Sequence, residues 1–242
     1  MTKSIIEILG RSTQGATRPY ICRADDDDLY FVKGNGAGRQ SQVYEWVCGH
    51  LAIKLGLPIA PFRQVLIPEE LVEGNSDYSE LKSGLAFGSQ KQILMELNYA
   101  GIKQVPIDLQ RTVLAFDWWI KNEDRTLSEL GGNPNLFWDP DEKSLIVIDH
   151  NQAFDPTFSV HSFKSEHVFR QQNNSLFNHA LYRSEYRDKF QMALRSWNEI
   201  TDGLPEEWYY SDPEKTVKAN FDLNSMFNIL NRCNDDSLWE ET

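Results

Sequence analysis

Apolar and polar residues alternate in short runs over the first hundred positions, and apolar residues then recur at helical spacing over much of the remainder. Residues 5–9, 20–23 and 29–32 are apolar or alternating runs, separated by Gly10-Arg11-Ser12-Thr13-Gln14-Gly15 and by Asp25-Asp26-Asp27-Asp28. Short runs bounded by turn formers predict strands of an antiparallel sheet. Residues 41–55 carry Val43, Trp46, Val47, Leu51, Ile53 and Leu55, close to helical spacing, with Gly56 and Pro58 as a stop, which predicts a helix. Residues 60–67 and 92–97 read as further strands, and 68–85 as a polar connection.

The texture changes at Pro106. Leu109, Val113, Leu114, Phe116, Asp117, Trp118, Trp119 and Ile120 predict a strongly apolar helix with Pro106 in its first turn. Residues 176–200 and 214–232 also carry helical periodicity, around a small hairpin expected over 135–149. The acidic tail 234–242 is expected to fray, with Trp239 available to dock. The expected fold is α+β in two lobes, a strand-rich lobe over 1–98 and a mainly helical one over 99–242, together one domain with the boundary near residue 98.

A chain of 242 residues, 40% hydrophobic and 12% aromatic, can bury a core large enough for that arrangement. Its net charge of −12 argues against general nucleic-acid binding, which needs clustered cations. Cys22, Cys48 and Cys233 are too scattered for a disulfide framework or a zinc spacing, and a reducing cytoplasm is expected. The amino terminus has no basic segment ahead of an apolar signal core, and no run approaches the roughly 18 apolar residues of a spanning helix, so no membrane association is expected. The four-Asp run reads as a solvated turn, because consecutive carboxylates point apart.

The candidate chemistry lies in three segments: Asn122-Glu123-Asp124-Arg125, Asn133-Pro134-Asn135-Leu136-Phe137 and Ile148-Asp149-His150. An Asp after an apolar segment, an Asn leading into a strand and an Asp ending the next strand are the polar groups of metal-assisted phosphoryl transfer. A second pair lies upstream. Lys33 ends a predicted strand, where its ammonium would reach ATP phosphates, and Glu45 sits on the following helix, where it would hold that Lys in place. The loop around Ser12 and Thr13 offers amides and hydroxyls to phosphates. It lacks the Gly-x-Gly-x-x-Gly spacing, and no Gly-Lys-Ser/Thr follows the glycines at 34, 36 and 38, which excludes a Walker-type loop. Met95-Glu96-Leu97 falls where a linker would present backbone groups and an apolar slot to adenine.

In this order, Lys33, Glu45, Met95-Glu96-Leu97, Asn122-x-Asp124-Arg125, Asn135-Leu136-Phe137 and Ile148-Asp149-His150 resemble the HipA-like kinases and, more distantly, the phosphoinositide lipid kinases. Leu51-Ala52-Ile53-Lys54-Leu55-Gly56-Leu57-Pro58 and Phe87-Gly88-Ser89-Gln90 resemble the HipA-like group too. The resemblance covers about residues 5–155, and 156–242 match in helical character alone. It implies a bilobal protein-kinase-like fold, an antiparallel-sheet N-lobe and a mainly helical C-lobe. It also implies ATP and Mg2+ as cofactors, and a protein Ser or Thr as acceptor. Asp124 would orient the acceptor hydroxyl, Asn135 and Asp149 would hold the metal, and Lys33 would contact phosphate. An antitoxin-like partner is a further implication.

Two departures matter: the helix-partner role of Glu45 aligns less firmly than that of Lys33, and the catalytic loop is longer. The family's Asp-x-x-x-x-Asn spacing is stretched so that Asn135 lies eleven positions after Asp124, by a connection rich in turn formers that costs little closure entropy. Asn133 therefore competes with Asn135 as a metal ligand, and Asn135 is favoured because it directly precedes a strand. The stretch also motivates an alternative, a catalytically weak pseudokinase-like binding module; a small-molecule or lipid kinase is another. No Gly-x-Ser-x-Gly, His-Glu-x-x-His or Cys-x-x-Cys occurs. Asp117 with Asp124 could suggest a glycosidase carboxylate pair, but Asp117 reads better as a hydrogen-bonding residue beside core tryptophans. His150 reads as a structural donor at a strand end, and His161 with His167 has no metal spacing.

Overall fold

The computed structural model describes residues 2–12 and 18–240, and it is a mixed α/β structure containing both strands and helices. The chain divides into two contact units, one of residues 1–46, 60–93 and 203–221, the other of residues 47–59, 94–202 and 222–242.

In the first unit, strands β1 (Lys3–Arg11), β2 (Tyr20–Ala24), β3 (Leu29–Lys33), β4 (Phe62–Ile67) and β5 (Gly84–Gln90) close into a barrel in the order β1-β2-β3-β5-β4. Alternation sets which side chains face inward: Tyr20, Cys22 and Ala24 on β2, and Tyr30 and Val32 on β3, are buried with Ile5, Val65, Ile67 and Ala86. The sheet differs from expectation in being not wholly antiparallel. Lys3 and Ser4 pair in parallel with Val65 and Leu66, and irregularities in β1 between Ile5 and Glu7 and between Ile8 and Gly10 give the bending that closure needs. Closure removes the open sheet edges.

Asp25 to Asp28 form the turn between β2 and β3, but Asp26 is not merely solvated. It accepts a hydrogen bond from the Tyr30 hydroxyl at 3.2 Å and pairs with Lys3 at 3.3 Å. Helix α1 (Arg39–Lys54) begins in this unit. Residues 203–221 complete the unit. The buried Trp208 donates its indole N–H to the Leu85 carbonyl at 2.9 Å, and Glu207 accepts from the Leu85 amide.

The second unit is organised on helix α2 (Ile107–Trp119), whose residues Val113 to Trp119 are all buried. A helix that is apolar on every side belongs in a core. Pro106 stands just ahead of the helix and accepts the Gln110 N–H at 3.0 Å. Trp119 stacks on Phe190 with centroids 4.4 Å apart, and Trp118 meets Phe177 edge-on at 4.7 Å. At the carboxyl end of α2 the Arg232 guanidinium donates to the carbonyls of Trp119 at 2.9 Å and Trp118 at 3.3 Å, supplying a cation where the helix dipole is negative.

Around this helix lie the two-residue strand β6 (Met95–Glu96), the hairpins β7–β8 (Thr126–Ser128, Gly131–Asn133) and β9–β10 (Leu136–Asp139, Ser144–Val147), and helices α3 (Val160–Glu166), α4 (Asn173–Asn178), α5 (Ala180–Leu194), α6 (Trp197–Asp202) and α7 (Leu223–Asn231). Several expectations shift here. The strand expected over 92–97 contracts to β6, which pairs with β9. The helix expected over 214–232 begins only at Leu223, where Asp222 caps the Asn224 and Ser225 amides. The tail is folded through Trp239: Leu238 is buried and its carbonyl accepts the Trp118 indole N–H at 2.6 Å.

Candidate active site

In the first unit, Lys33 closes β3 and Glu45 projects from α1. Their side chains form an ion pair, at 8% and 5% exposure. Gly34 follows Lys33 because nothing larger fits: a Cβ there would stand 2.5 Å from the Leu81 carbonyl oxygen. Ser12 is buried directly after β1 and donates its N–H to the Pro19 carbonyl at 2.8 Å. Thr13, expected beside it in the phosphate loop, lies outside the described residues.

In the second unit, Asp124 and Asn135 are brought together. The Asn135 side-chain amide donates to Asp124 Oδ2 at 3.0 Å, and Asn133 donates to the same oxygen at 2.7 Å. With its amide nitrogen so committed, the Asn135 side-chain oxygen Oδ1 points away from Asp124 Oδ2. The stretched connection expected as a turn-rich loop is instead the β7–β8 hairpin, with Thr126 opposite Asn133 and Leu127 opposite Gly132. Gly132 is required by close approach, since a Cβ there would lie 2.8 Å from Leu127 Cα.

Asp149 reaches the same region through strand register. Leu136 pairs with Val147, and the Ile148 N–H donates to the Asn135 carbonyl at 3.1 Å, so Asp149 is one residue past the partner of Asn135. Both have left-handed backbones, with φ of 49° at Asn135 and 57° at Asp149. Asn and Asp tolerate that conformation better than most residues, and such backbone strain gathers at functional sites.

Arg125 holds these strand ends from beneath. Fully buried, it donates to the carbonyls of Asn135 at 2.7 Å, Ile148 at 3.1 Å and Pro134 at 3.3 Å, and through Nε to Asp117 Oδ2 at 2.7 Å. Asp117 also accepts from the Asn122 amide at 2.9 Å and bonds His167 Nε2 at 3.0 Å. Burial alone would raise the Asp117 pKa, but the Arg125 charge and the His167 hydrogen bond outweigh it and hold the carboxyl well below the usual range. Burial pushes the His167 pKa down against the pull of Asp117. Because His167 Nδ1 accepts the Phe169 N–H at 3.0 Å, the ring is the neutral tautomer that donates through Nε2.

His150 is buried, its ring edge-on to Phe116 at 5.7 Å. Within the 95–97 segment Met95 is 75% exposed and Glu96 is exposed, whereas Leu97 is buried and donates its N–H to the Leu136 carbonyl at 2.8 Å. Sequence reasoning did not anticipate the roles of Arg125 and His167. The Asp-Arg dipeptide was visible, but His167 lies fifty residues from Asp117 and offered no local spacing.

The donor set suits magnesium. Asn135 and Asp149 offer hard oxygens, and magnesium takes only one or two carboxylate-type protein ligands because phosphate oxygens and water complete its shell. Among the described residues no cluster of three His, Cys, Asp or Glu side chains forms a cage for another metal. No helix among them is long and apolar enough to cross a membrane.

No curated protein matches the chain. A family model described as HipA-like kinase does, over residues 5–242, so the likeness runs through the helical region that the motifs left unmatched beyond residue 155. A match over nearly the whole chain shows the family, and this chain belongs to the HipA-like kinases.

Proposed function

We propose that this protein is an ATP- and magnesium-dependent kinase that transfers the γ-phosphoryl group to a protein Ser or Thr hydroxyl. Family membership supports a phosphotransferase in general, with ATP and a divalent metal as its usual requirements. The observation that carries the finer reading is the joining of Asp124 to Asn135, with Asp149 one residue past the partner of Asn135. In this reading the chain is bilobal, 1–98 forming the N-lobe and 99–242 the C-lobe.

Asp124 orients the acceptor hydroxyl and takes its proton late in transfer. The Asn135 side-chain oxygen and the Asp149 carboxylate would hold the metal, which when bound would neutralise charge on the phosphates. Lys33, aimed by Glu45, contacts phosphate, and the loop of Ser12 and Thr13 covers it. Met95, Glu96 and Leu97 present backbone groups to adenine. Catalysis then rests on placement and fixed charge, so no perturbed carboxyl is needed. Action in the cytoplasm belongs to the same proposal, supported by the scattered placement of Cys22, Cys48 and Cys233, which suggests no disulfide framework. The antitoxin-like partner rests on the resemblance alone.

Incubation with γ-labelled ATP and magnesium, with and without host lysate, tests this reading. Label on protein Ser or Thr supports it. Label on a small molecule or lipid changes the acceptor class, and magnesium-dependent nucleotide binding without any transfer identifies a binding module.

A further inference from the structure

The hairpin inserted between Asp124 and Asn135 does more than lengthen a loop. Its last residue, Asn133, donates its side-chain amide to Asp124 Oδ2 at 2.7 Å, the same oxygen that accepts from Asn135 at 3.0 Å. Two donors on one oxygen fix the rotation of a carboxylate about both its side-chain torsions. Among the described residues no hydrogen bond reaches Asp124 Oδ1.

The hairpin that carries the exposed Asn133 is anchored through its first strand. Thr126 donates its N–H to the Asp124 carbonyl at 3.0 Å and sits opposite Asn133 in the pairing. Leu127 is buried, and its carbonyl accepts from Arg170 at 2.8 Å. The Arg125 carbonyl accepts the Val168 N–H at 3.0 Å. Gly132 lets the two strands close to a separation that a side chain would prevent. An amide on such a support loses little entropy when it bonds a carboxylate, and hydrogen bonds to charged groups are the stronger kind.

We infer that Asn133 is a positioning residue for Asp124: the β7–β8 hairpin presents its amide to Oδ2 so that Oδ1 is aimed at the acceptor hydroxyl. This rests on the catalytic reading of Asp124. It also separates Asn133 from Asn135, which directly precedes β9 and has Asp149 one residue past its partner.

The test measures initial rates of label transfer from γ-labelled ATP to lysate protein, as a function of ATP and magnesium, for the parent chain, Asn133→Ala, Asn133→Asp, Asp124→Asn and the double variant Asp124→Asn with Asn133→Ala. Asn133→Ala is expected to lower kcat about tenfold, the size of one charge-assisted hydrogen bond at the reacting geometry, with KM for ATP and the magnesium requirement unchanged. Asn133→Asp keeps the shape but replaces the donor with a second carboxylate, and is expected to lose at least as much. In the Asp124→Asn background, Asn133→Ala should cost nothing further.

Three results would overturn the inference: parent-like kcat in Asn133→Asp, which reduces Asn133 to a shape; a raised magnesium requirement in Asn133→Ala that Asn133→Asp restores, which makes it a metal ligand; or full additivity with Asp124→Asn. Unchanged transfer in Asp124→Asn would instead sink the catalytic reading itself, and the inference with it. Circular dichroism of each variant separates these outcomes from misfolding.

Discussion

Arg125 and Asp117 meet at 2.7 Å with both side chains fully buried, and the same guanidinium reaches the carbonyls of Asn135 and Ile148. One cation thus joins the core helix to both strand ends that carry the proposed metal ligands. Removing one partner of a buried pair leaves an uncompensated charge, which costs about 3–5 kcal/mol. Asp117→Leu should therefore destabilise by that amount in urea unfolding. Arg125→Lys should not restore parent stability, since an ammonium cannot span a carboxylate and three carbonyls as a fork does. Parent-like stability in Asp117→Leu would remove the pair from the framework.

His167 gives the protein a pH dependence of definite sign. Its folded pKa lies below the ordinary 6.5, so below about pH 6.5 the unfolded chain binds a proton that the folded one refuses. Stability should fall as pH drops through that window toward the folded value, by at most about 1.4 kcal/mol per pH unit. The lowered Asp117 pKa acts elsewhere. Its contribution is present above about pH 4 and is lost only as pH falls further. His167→Gln keeps a donor for Asp117 and should flatten the slope of the melting temperature just below pH 6.5; an unchanged slope would assign that dependence to another group.

Some of this architecture was legible along the chain and some was not, for physical reasons. Helix α2 and the β9–β10 hairpin announce themselves because apolar spacing and turn formers agree there. Lys33 at a strand end and Glu45 on the next helix were readable as a pair for the same reason. Strand β5 went unread because its Gly84, Gly88 and Ser89 carry weak strand character, yet Gly88 has a packing reason: a Cβ there would stand 2.8 Å from a Val65 methyl. Barrel closure depends on the parallel pairing of Lys3 and Ser4 with Val65 and Leu66, which leaves no local trace. The β7–β8 strands are three residues each, too short for any period to show.

The Lys33–Glu45 pair predicts an asymmetric result. Lys33→Met removes the proposed phosphate contact and should lower turnover roughly 10²–10³-fold, as loss of a preorganised electrostatic donor does. Glu45→Gln keeps the ammonium with weaker aim and should cost about tenfold less. Steady-state kinetics with ATP as the varied substrate checks this, and equal losses would make Glu45 more than a positioning group.

Metal dependence separates the polar residues of the second unit. Asp149→Ala should abolish magnesium-dependent ATP binding in calorimetry while leaving the circular dichroism spectrum unchanged. Asn135→Ala should weaken transfer far more than Asn133→Ala, because only Asn135 offers its side-chain oxygen to the metal in this account. Parent-like magnesium dependence in Asp149→Ala would displace that residue from the metal site.

The central claim is that Asp124 aims the acceptor and does not hold the nucleotide. The most direct measurement is the single-turnover rate of γ-phosphoryl transfer in Asp124→Asn at saturating ATP and magnesium. The rate should fall roughly 10²–10⁴-fold, the range for a positioned acid–base group, while the ATP concentration needed for saturation stays at the parent value. Transfer at the parent rate, or a loss that more ATP or magnesium repairs, would contradict the account.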